Sequence, residues 1–368
     1  MSWAIWITGP PGSGKSTIAR AAADRLAASG MPVQVLELDE IRRTLTPEPR
    51  YTDAERDVVY RALGYMAALL TNAGVPVIVD ATAHRREWRD LARAAIPCFG
   101  EVEVVCPLEV CRERERARRG SHAPSGIYAR AGQPGATVPG VDVAYERSAA
   151  PEVVIDSVAE SVPEAAARVA ELASRLAGEP GGAPAPSPGW AVWITGRPGS
   201  GKTTLVDRVA TALAARDIRV RVLDMATVLQ HLLPGRPGSD AEIDIAHRAI
   251  ALAAKLLTEV GVAVIVDATA PRRVWRDIAR QSIPRFAEVQ LACPVAICVE
   301  RERSARWRLG GEMAERPPAR VPDIALDYEE ALCPELVVDT GAHDPWTLTE
   351  QVLFLIHRLH HAVPTEPR

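Results

Sequence analysis

The sequence predicts an α/β protein made of two similar domains in tandem, each a mostly parallel sheet with helices on both faces. Three observations carry this reading. At 368 residues the chain is long enough for two domains. Short β-branched runs alternate with longer stretches of helical period, the pattern of βαβ units. The chain also repeats itself: Trp6-Ile7-Thr8-Gly9 returns as Trp193-Ile194-Thr195-Gly196, an offset of 187 residues from Trp6 to Trp193. At that offset Val77-Ile78-Val79-Asp80-Ala81-Thr82-Ala83 recurs unchanged as Val264 to Ala270, and Trp88-Arg89-Asp90 recurs as Trp275-Arg276-Asp277.

In the first copy, residues 1–177, the runs Ala4–Thr8, Val33–Leu38, Val75–Asp80, Val102–Val105 and Val153–Ile155 read as strands, with helices between them. Residues 178–189 are rich in Pro and Gly, which defeats both helix and strand, and read as a semi-extended linker. The second copy is expected over 190–363, followed by a tail, 364–368.

Apolar residues make up 47% and charged residues 24% of the chain, which excludes a largely disordered protein. With 43 basic and 47 acidic side chains the net charge is −4, so nucleic acid is not an expected partner and any nucleotide must be held locally. No run approaches 18 uninterrupted apolar residues and no basic segment precedes Trp3, so no membrane partner is expected and a cytoplasmic location is. The six cysteines include no CxxC pair and are expected to be reduced thiols; Cys106 and Cys111 recur as Cys293 and Cys298 through the repeat. His357, His360 and His361 have ligand-capable helical spacing, but without an acidic or thiol partner they read as an exposed face.

The chemistry is concentrated in a few motifs. Gly9-Pro10-Pro11-Gly12-Ser13-Gly14-Lys15-Ser16 matches the phosphate-binding pattern GxxxxGK[ST], and it follows a predicted strand and opens a predicted helix, as a P-loop NTPase-like domain requires. Gly9, Gly12, Ser13, Gly14, Lys15, Ser16 and Thr17 are expected to hold the phosphates of ATP. Backbone N–H groups converge on phosphate oxygens, Lys15 neutralises charge, and the Ser16 hydroxyl can ligate Mg²⁺. Gly196, Gly199, Ser200, Gly201, Lys202, Thr203 and Thr204 form the same set in the second copy. Asp80 and Asp267, each at the end of a β-branched run, are expected to support the metal with Ser16 and Thr203 or to orient the acceptor; capping of the next segment is the alternative.

Leu36-Glu37-Leu38-Asp39-Glu40-Ile41-Arg42 places an acid and a base at a strand-to-helix turn facing this loop. Here the chain resembles the adenylylsulfate kinases, P-loop enzymes that use MgATP to phosphorylate the 3′-hydroxyl of adenosine 5′-phosphosulfate. Their corresponding LDGDNIR segment matches Asp39 and Arg42, with Glu37 in place of its first aspartate. The resemblance implies that Tyr51 stacks on the substrate and that Arg56, fourteen residues after Arg42, is the second substrate arginine. Guanidinium groups suit phosphosulfate oxygens, and an aromatic ring suits a purine. Gly126-Ile127-Tyr128-Ala129 looks like the family's GLYK, which adds Tyr128 to the acceptor set, and Arg112, Arg114, Arg116, Arg118 and Arg119 suggest a basic lid helix. On this reading Lys15, Asp39 and Asp80 are the catalytic residues.

Several positions depart from the family: Val59 replaces an asparagine, Ala83 a serine that can carry phosphate, Ser125 a lysine, and Val138 an aromatic. No phosphoserine can form at Ala83. In the second copy Asp39 becomes Ala226, Arg42 Leu229, Tyr51 Gly238 and Arg56 Ile243, while Lys202, Thr203, Asp224 and Asp267 remain. That copy is expected to bind ATP and Mg²⁺ with little turnover, and to pair with the first as an intramolecular pseudo-dimer unless the chain forms a homodimer. Two alternatives stay open: a kinase for another hydroxyl acceptor, such as a nucleoside, a polynucleotide end or a small metabolite, and a non-catalytic nucleotide-binding regulatory protein.

Overall fold

The computed structural model describes residues 2–117, 126–177, 189–308 and 327–361. Arg118, Arg119, Ser125, most of the expected linker and the 364–368 tail lie outside the described residues. The chain divides into two compact units, Met1–Pro184 and Ala185–Arg368.

The first unit runs β1 (Trp3–Thr8), α1 (Lys15–Ala28), β2 (Gln34–Glu37), α2 (Leu38–Leu45), α3 (Asp53–Asn72), β3 (Val77–Asp80), α4 (Arg86–Ala95), β4 (Cys98–Val105), α5 (Leu108–Ala117), β5 (Val153–Asp156) and α6 (Val162–Ala177). Its five strands are all parallel, in the order β2-β3-β1-β4-β5. Every residue of the central strand β1 is buried, so both faces of the sheet are covered. Trp3, Ile5 and Ile7 pack with Ile18 and Leu26 of α1 and Val169 and Leu172 of α6. The alternation of a strand sends Ala4 and Trp6 the other way, to the face where α3 and α4 lie.

The second unit repeats this plan: β6 (Ala191–Gly196), α7 (Lys202–Ala214), β7 (Val220–Asp224), α8 (Met225–Leu232), α9 (Asp240–Glu259), β8 (Ala263–Asp267), α10 (Arg273–Ser282), β9 (Phe286–Ala292), α11 (Val295–Arg308), β10 (Leu336–Asp339) and α12 (Pro345–His361). The order is again parallel, β7-β8-β6-β9-β10.

One strand differs from expectation. β4 begins at Cys98 rather than Val102, because Glu101 and Glu103 interrupt the apolar run in sequence yet are buried in the fold. Glu101 is paired with Arg89 at 2.7 Å, and Glu103 with Arg147 at 2.9 Å. The same buried pair recurs as Arg276–Glu288 at 2.7 Å. Arg89 Nη1 also donates to the Ala83 carbonyl and Nη2 to the Glu146 carbonyl at 2.7 Å, so one guanidinium joins three segments. No described helix is long and apolar enough to cross a membrane. His357, His360 and His361 are exposed on the last turns of α12, where His360 Nδ1 accepts a hydrogen bond from Trp190 Nε1 at 3.0 Å.

The helix pair behind each sheet carries one informative exchange. In the first unit Tyr60 stacks on Trp88 with ring centroids 4.2 Å apart, and its hydroxyl accepts the Ala83 N–H at 3.0 Å. In the second, His247 stacks on Trp275 at 3.8 Å, and its Nδ1–H donates to the Ile243 carbonyl at 2.8 Å. Burial lowers the pKa of His247 to about 4, only partly opposed by the Ile243 carbonyl and Asp244. Above about pH 6.5 the ring is neutral in both folded and unfolded states; as pH falls from there toward 4, only the unfolded chain binds the proton, and stability is lost. The stability difference between His247→Tyr and the wild type, measured on the second unit's transition in urea, should therefore grow by about 2 kcal/mol from pH 7 to pH 5. A difference that does not change with pH would refute the assignment.

Candidate active site

The loop from β1 to α1 is held from behind. Gly12 has φ +78°, and a Cβ built there would lie 2.4 Å from the Cys111 carbonyl oxygen on α5, so both conformation and space require glycine. Gly199 repeats this against Cys298. Lys15 is buried and its Nζ donates to the Pro10 carbonyl at 2.9 Å; Lys202 donates to the Arg197 carbonyl at 3.0 Å. The Ser13 and Ser200 hydroxyls are buried with no hydrogen-bond partner among the described residues. Gly14 and Gly201 precede the first helical residues, Lys15 and Lys202, so that the positive ends of α1 and α7 face the loops.

Asp80 ends β3 beside Glu37, its register partner on β2. Burial pushes the Asp80 carboxyl up to about 6; Lys15 and the Ser16 hydroxyl pull it down, while Glu37 and Asp39 add repulsion. Glu37 is engaged by Arg20 at 2.6 Å. In the second unit the Thr203 hydroxyl donates to Asp267 at 2.6 Å, and burial again raises the Asp267 pKa. A hydroxyl and a crowded carboxylate at the foot of a phosphate loop form a donor set that fits Mg²⁺. The N-cap positions of the helices that follow are held by Arg85 and Arg272, not by Asp80 and Asp267.

Asp39, Arg42, Tyr51 and Arg56 line one cavity. Arg42 Nη1 is 3.2 Å from Glu55 Oε1, and both side chains are buried. Glu55 also accepts the N–H groups of Arg50 at 2.7 Å and Tyr51 at 3.1 Å, which holds Tyr51 at φ +55°. Two guanidiniums lie against the Tyr51 ring, with Arg42 5.2 Å and Arg56 5.9 Å from its centroid. Arg56 Nη2 donates to the Thr137 carbonyl and hydroxyl, each at 2.8 Å, whereas its Nη1 is buried without a partner among the described residues. A cavity of about 900 Å³ is lined by Gly12, Gly14, Lys15, Ser16, Thr17 and Asp80 on one side and by Asp39, Arg42, Tyr51, Arg56 and Val138 on the other.

Two expectations are corrected. Tyr128 does not line that cavity; its ring is buried with Cys111 and Val138, and its hydroxyl donates to the Pro11 carbonyl at 2.7 Å, bracing the phosphate loop. Arg114 is an anchor rather than part of a mobile lid, since it donates to the Ser157 carbonyl at 2.8 Å and hydroxyl at 2.9 Å and reaches the Ser13 carbonyl at 3.4 Å. Arg301 makes the matching contact with the Thr340 carbonyl at 2.8 Å.

The second unit's acceptor side is filled. A Cβ on Gly238 would lie 2.5 Å from Leu233 Cδ1 and 3.1 Å from Ile243 Cδ1, so no tyrosine fits there. Leu229 is buried in place of Arg42. Glu242, the counterpart of Glu55, instead completes a capping box with Ser239 and pairs with Arg236 at 2.6 Å. Gly310–Pro318, which stand in the second copy where the first has Gly126 to Ala131, lie outside the described residues.

Sequence reasoning missed Arg20, Glu55 and His84, all of which lie at or directly behind this cavity. Glu55 carried a signal, because Thr52 to Glu55 reads as a helix start, and Thr52 does accept the Glu55 N–H at 3.2 Å. Its side chain is nevertheless spent on the tyrosine loop.

Among known proteins, the family model for adenylylsulphate kinase matches residues 1–156 and 188–339. A protein of Archaeoglobus fulgidus named "Probable adenylyl-sulfate kinase" is 39% identical over 160 residues, 43% of this chain and 97% of its own length. The adenylyl-sulfate kinase of Synechococcus sp. (strain JA-3-3Ab) is 38% identical over 150 residues, 41% of this chain and 81% of its own. The structure of a Mycobacterium tuberculosis APS kinase with AMPPNP and APS superposes with a TM-score of 0.42 at 31% identity, covering 47% of this chain and 98% of that one.

The close approach of Gly12 to α5 can be tested without reference to any reaction. Gly12→Ala should weaken binding of a fluorescent ATP analogue by about tenfold or more, since the left-handed backbone alone costs roughly 1–2 kcal/mol. Gly30→Ala, at φ +82° with nothing within 4 Å of the added methyl, should leave that binding unchanged. Equal affinities in the two variants would contradict the packing argument.

Proposed function

Since the chain belongs to the adenylylsulphate kinase family, we propose that its first unit transfers the γ-phosphoryl group of MgATP to the 3′-hydroxyl of adenosine 5′-phosphosulfate. The observation that carries this reading is the single cavity shared by the phosphate loop with Asp80 and by Asp39 with the Arg42–Tyr51–Arg56 cluster.

Each residue then has a role set by its chemistry. The loop amides and Lys15 bind the triphosphate, and Ser16 and Asp80 would hold Mg²⁺. The cation supplies positive charge to the phosphate oxygens when bound. Tyr51 stacks on the purine while Arg42 and Arg56 orient the anionic phosphosulfate. Asp39, in the first turn of α2, aligns the acceptor hydroxyl and takes its proton. Positioning and charge neutralisation supply most of the rate.

The second unit keeps Lys202 and the Thr203–Asp267 contact, but apolar side chains fill the place of its acceptor cluster. It is therefore assigned nucleotide and Mg²⁺ binding without sulfonucleotide turnover.

Lys15→Ala should abolish ATP-dependent phosphorylation of adenosine 5′-phosphosulfate by the full chain, whereas Lys202→Ala should keep most of it; equal losses would sink the division of labour. Asp39→Asn should slow turnover by about 10² or more with ATP affinity retained, in line with a 10²–10⁴-fold acid/base contribution. Phosphorylation of a different hydroxyl acceptor, with none of the sulfonucleotide, would overturn the substrate assignment.

A further inference from the structure

The loop that follows β3 carries a side chain that neither the fold nor the phosphate loop uses. His84 is 3% exposed and lines the cavity beside Arg56. Its backbone is fixed on every side: the Ala83 N–H goes to Tyr60, the Ala83 carbonyl to Arg89, and the His84 carbonyl accepts the Glu146 N–H at 2.8 Å. The ring stands edge-on to Trp88, with centroids 5.1 Å apart and planes at 82°. Neither ring nitrogen has a hydrogen-bond partner among the described residues.

The second unit provides an internal control. There the same loop is built with Pro271: Ala270 has φ +38°, as Ala83 does, Arg276 donates to the Ala270 carbonyl, and Glu329 N–H donates to the Pro271 carbonyl at 2.9 Å. The imidazole is thus not required to make the loop. It is present where Arg42, Tyr51 and Arg56 are present and missing where they have been replaced, so it tracks the acceptor side rather than the nucleotide side. Burial, reinforced by the charges of Arg56 and Arg85 against Asp53 and Glu146, lowers its pKa to about 4. The ring is neutral near pH 7 and offers one N–H donor in a place where Arg56 Nη1 is also unpartnered.

We infer that His84 is an acceptor-binding residue whose N–H donates to the anionic group of the acceptor, alongside Arg56 Nη1. This rests on the reading of the site given above and adds a contact that sets the specificity of its acceptor side. The test is calorimetric binding of adenosine 5′-phosphosulfate, and separately of a non-hydrolysable ATP analogue, to the full-length wild type and to His84→Leu, His84→Pro and His84→Gln. The proline variant is included because Pro271 already builds this loop.

Sulfonucleotide affinity should fall by about tenfold or more in the leucine and proline variants and stay within about threefold of wild type in the glutamine variant, which keeps an N–H donor. Affinity for the ATP analogue should not change. Wild-type sulfonucleotide affinity in the leucine and proline variants would overturn the role of His84 while leaving the site assignment standing, and so would a glutamine variant as weak as leucine. A wild type that does not bind the sulfonucleotide would instead overturn the substrate assignment and, with it, this contact.

Discussion

A buried guanidinium is the constraint on which the rest of each unit depends. Arg89 is fully buried and satisfied by one carboxylate, Glu101, and two carbonyls from distant segments. Removing one partner of such a pair typically costs about 3–5 kcal/mol, because the other charge is left in a low-dielectric interior. Its three contacts tie the middle of β4, the strained loop after β3 and the segment ending at Glu146 to one point. Asp80 precedes the tethered Ala83 by three residues and His84 follows it directly, so both cavity-lining side chains are positioned by the same tether. Arg276 keeps this arrangement in a unit that has lost its acceptor side chains. The tether therefore belongs to the scaffold, and the chemistry was laid over it.

Legibility in the sequence followed the range of the physics involved. The phosphate loop is local: its glycines, lysine and hydroxyl act within one turn between a strand and a helix, so the string itself shows them. Arg42, Tyr51 and Arg56 were singled out only through the family resemblance, since each alone reads as an ordinary surface residue. β4 was read short because two buried glutamates look like surface residues until their arginines are seen. Glu55 was missed, because only the fold reveals that its carboxylate accepts the backbone N–H groups of Arg50 and of Tyr51, a tyrosine in a left-handed conformation. Tyr128 illustrates another limit, since a motif can identify the neighbourhood of a residue without telling which wall its ring faces.

The two units also show how a site is dismantled without unfolding its domain. Charged groups that line a cavity carry a desolvation cost that binding must offset. Where Leu229 is buried and Ile243 packs beside Gly238, apolar side chains stand in place of the charged ones and that cost disappears. Glu242 was released from the tyrosine loop and returned to the helix start, where Ser239 and Arg236 satisfy it. The phosphate loop has no such route, because Gly12 and Gly199 are packed against α5 and α11.

The unchanged heptapeptide from Val77 to Ala83 and from Val264 to Ala270 contains a strand that lies between an edge strand and the central strand of its sheet. Its side chains hold no information about which sheet it should enter, so during synthesis either copy could insert into the sheet of the other. Tandem domains that are too alike are prone to this exchange. What distinguishes the two sheets is the surroundings: Tyr60 against His247, and His84 against Pro271, on either side of an otherwise interchangeable strand. Divergence of the second unit thus does more than erase a substrate site, because it gives each half of the chain a means of finding itself.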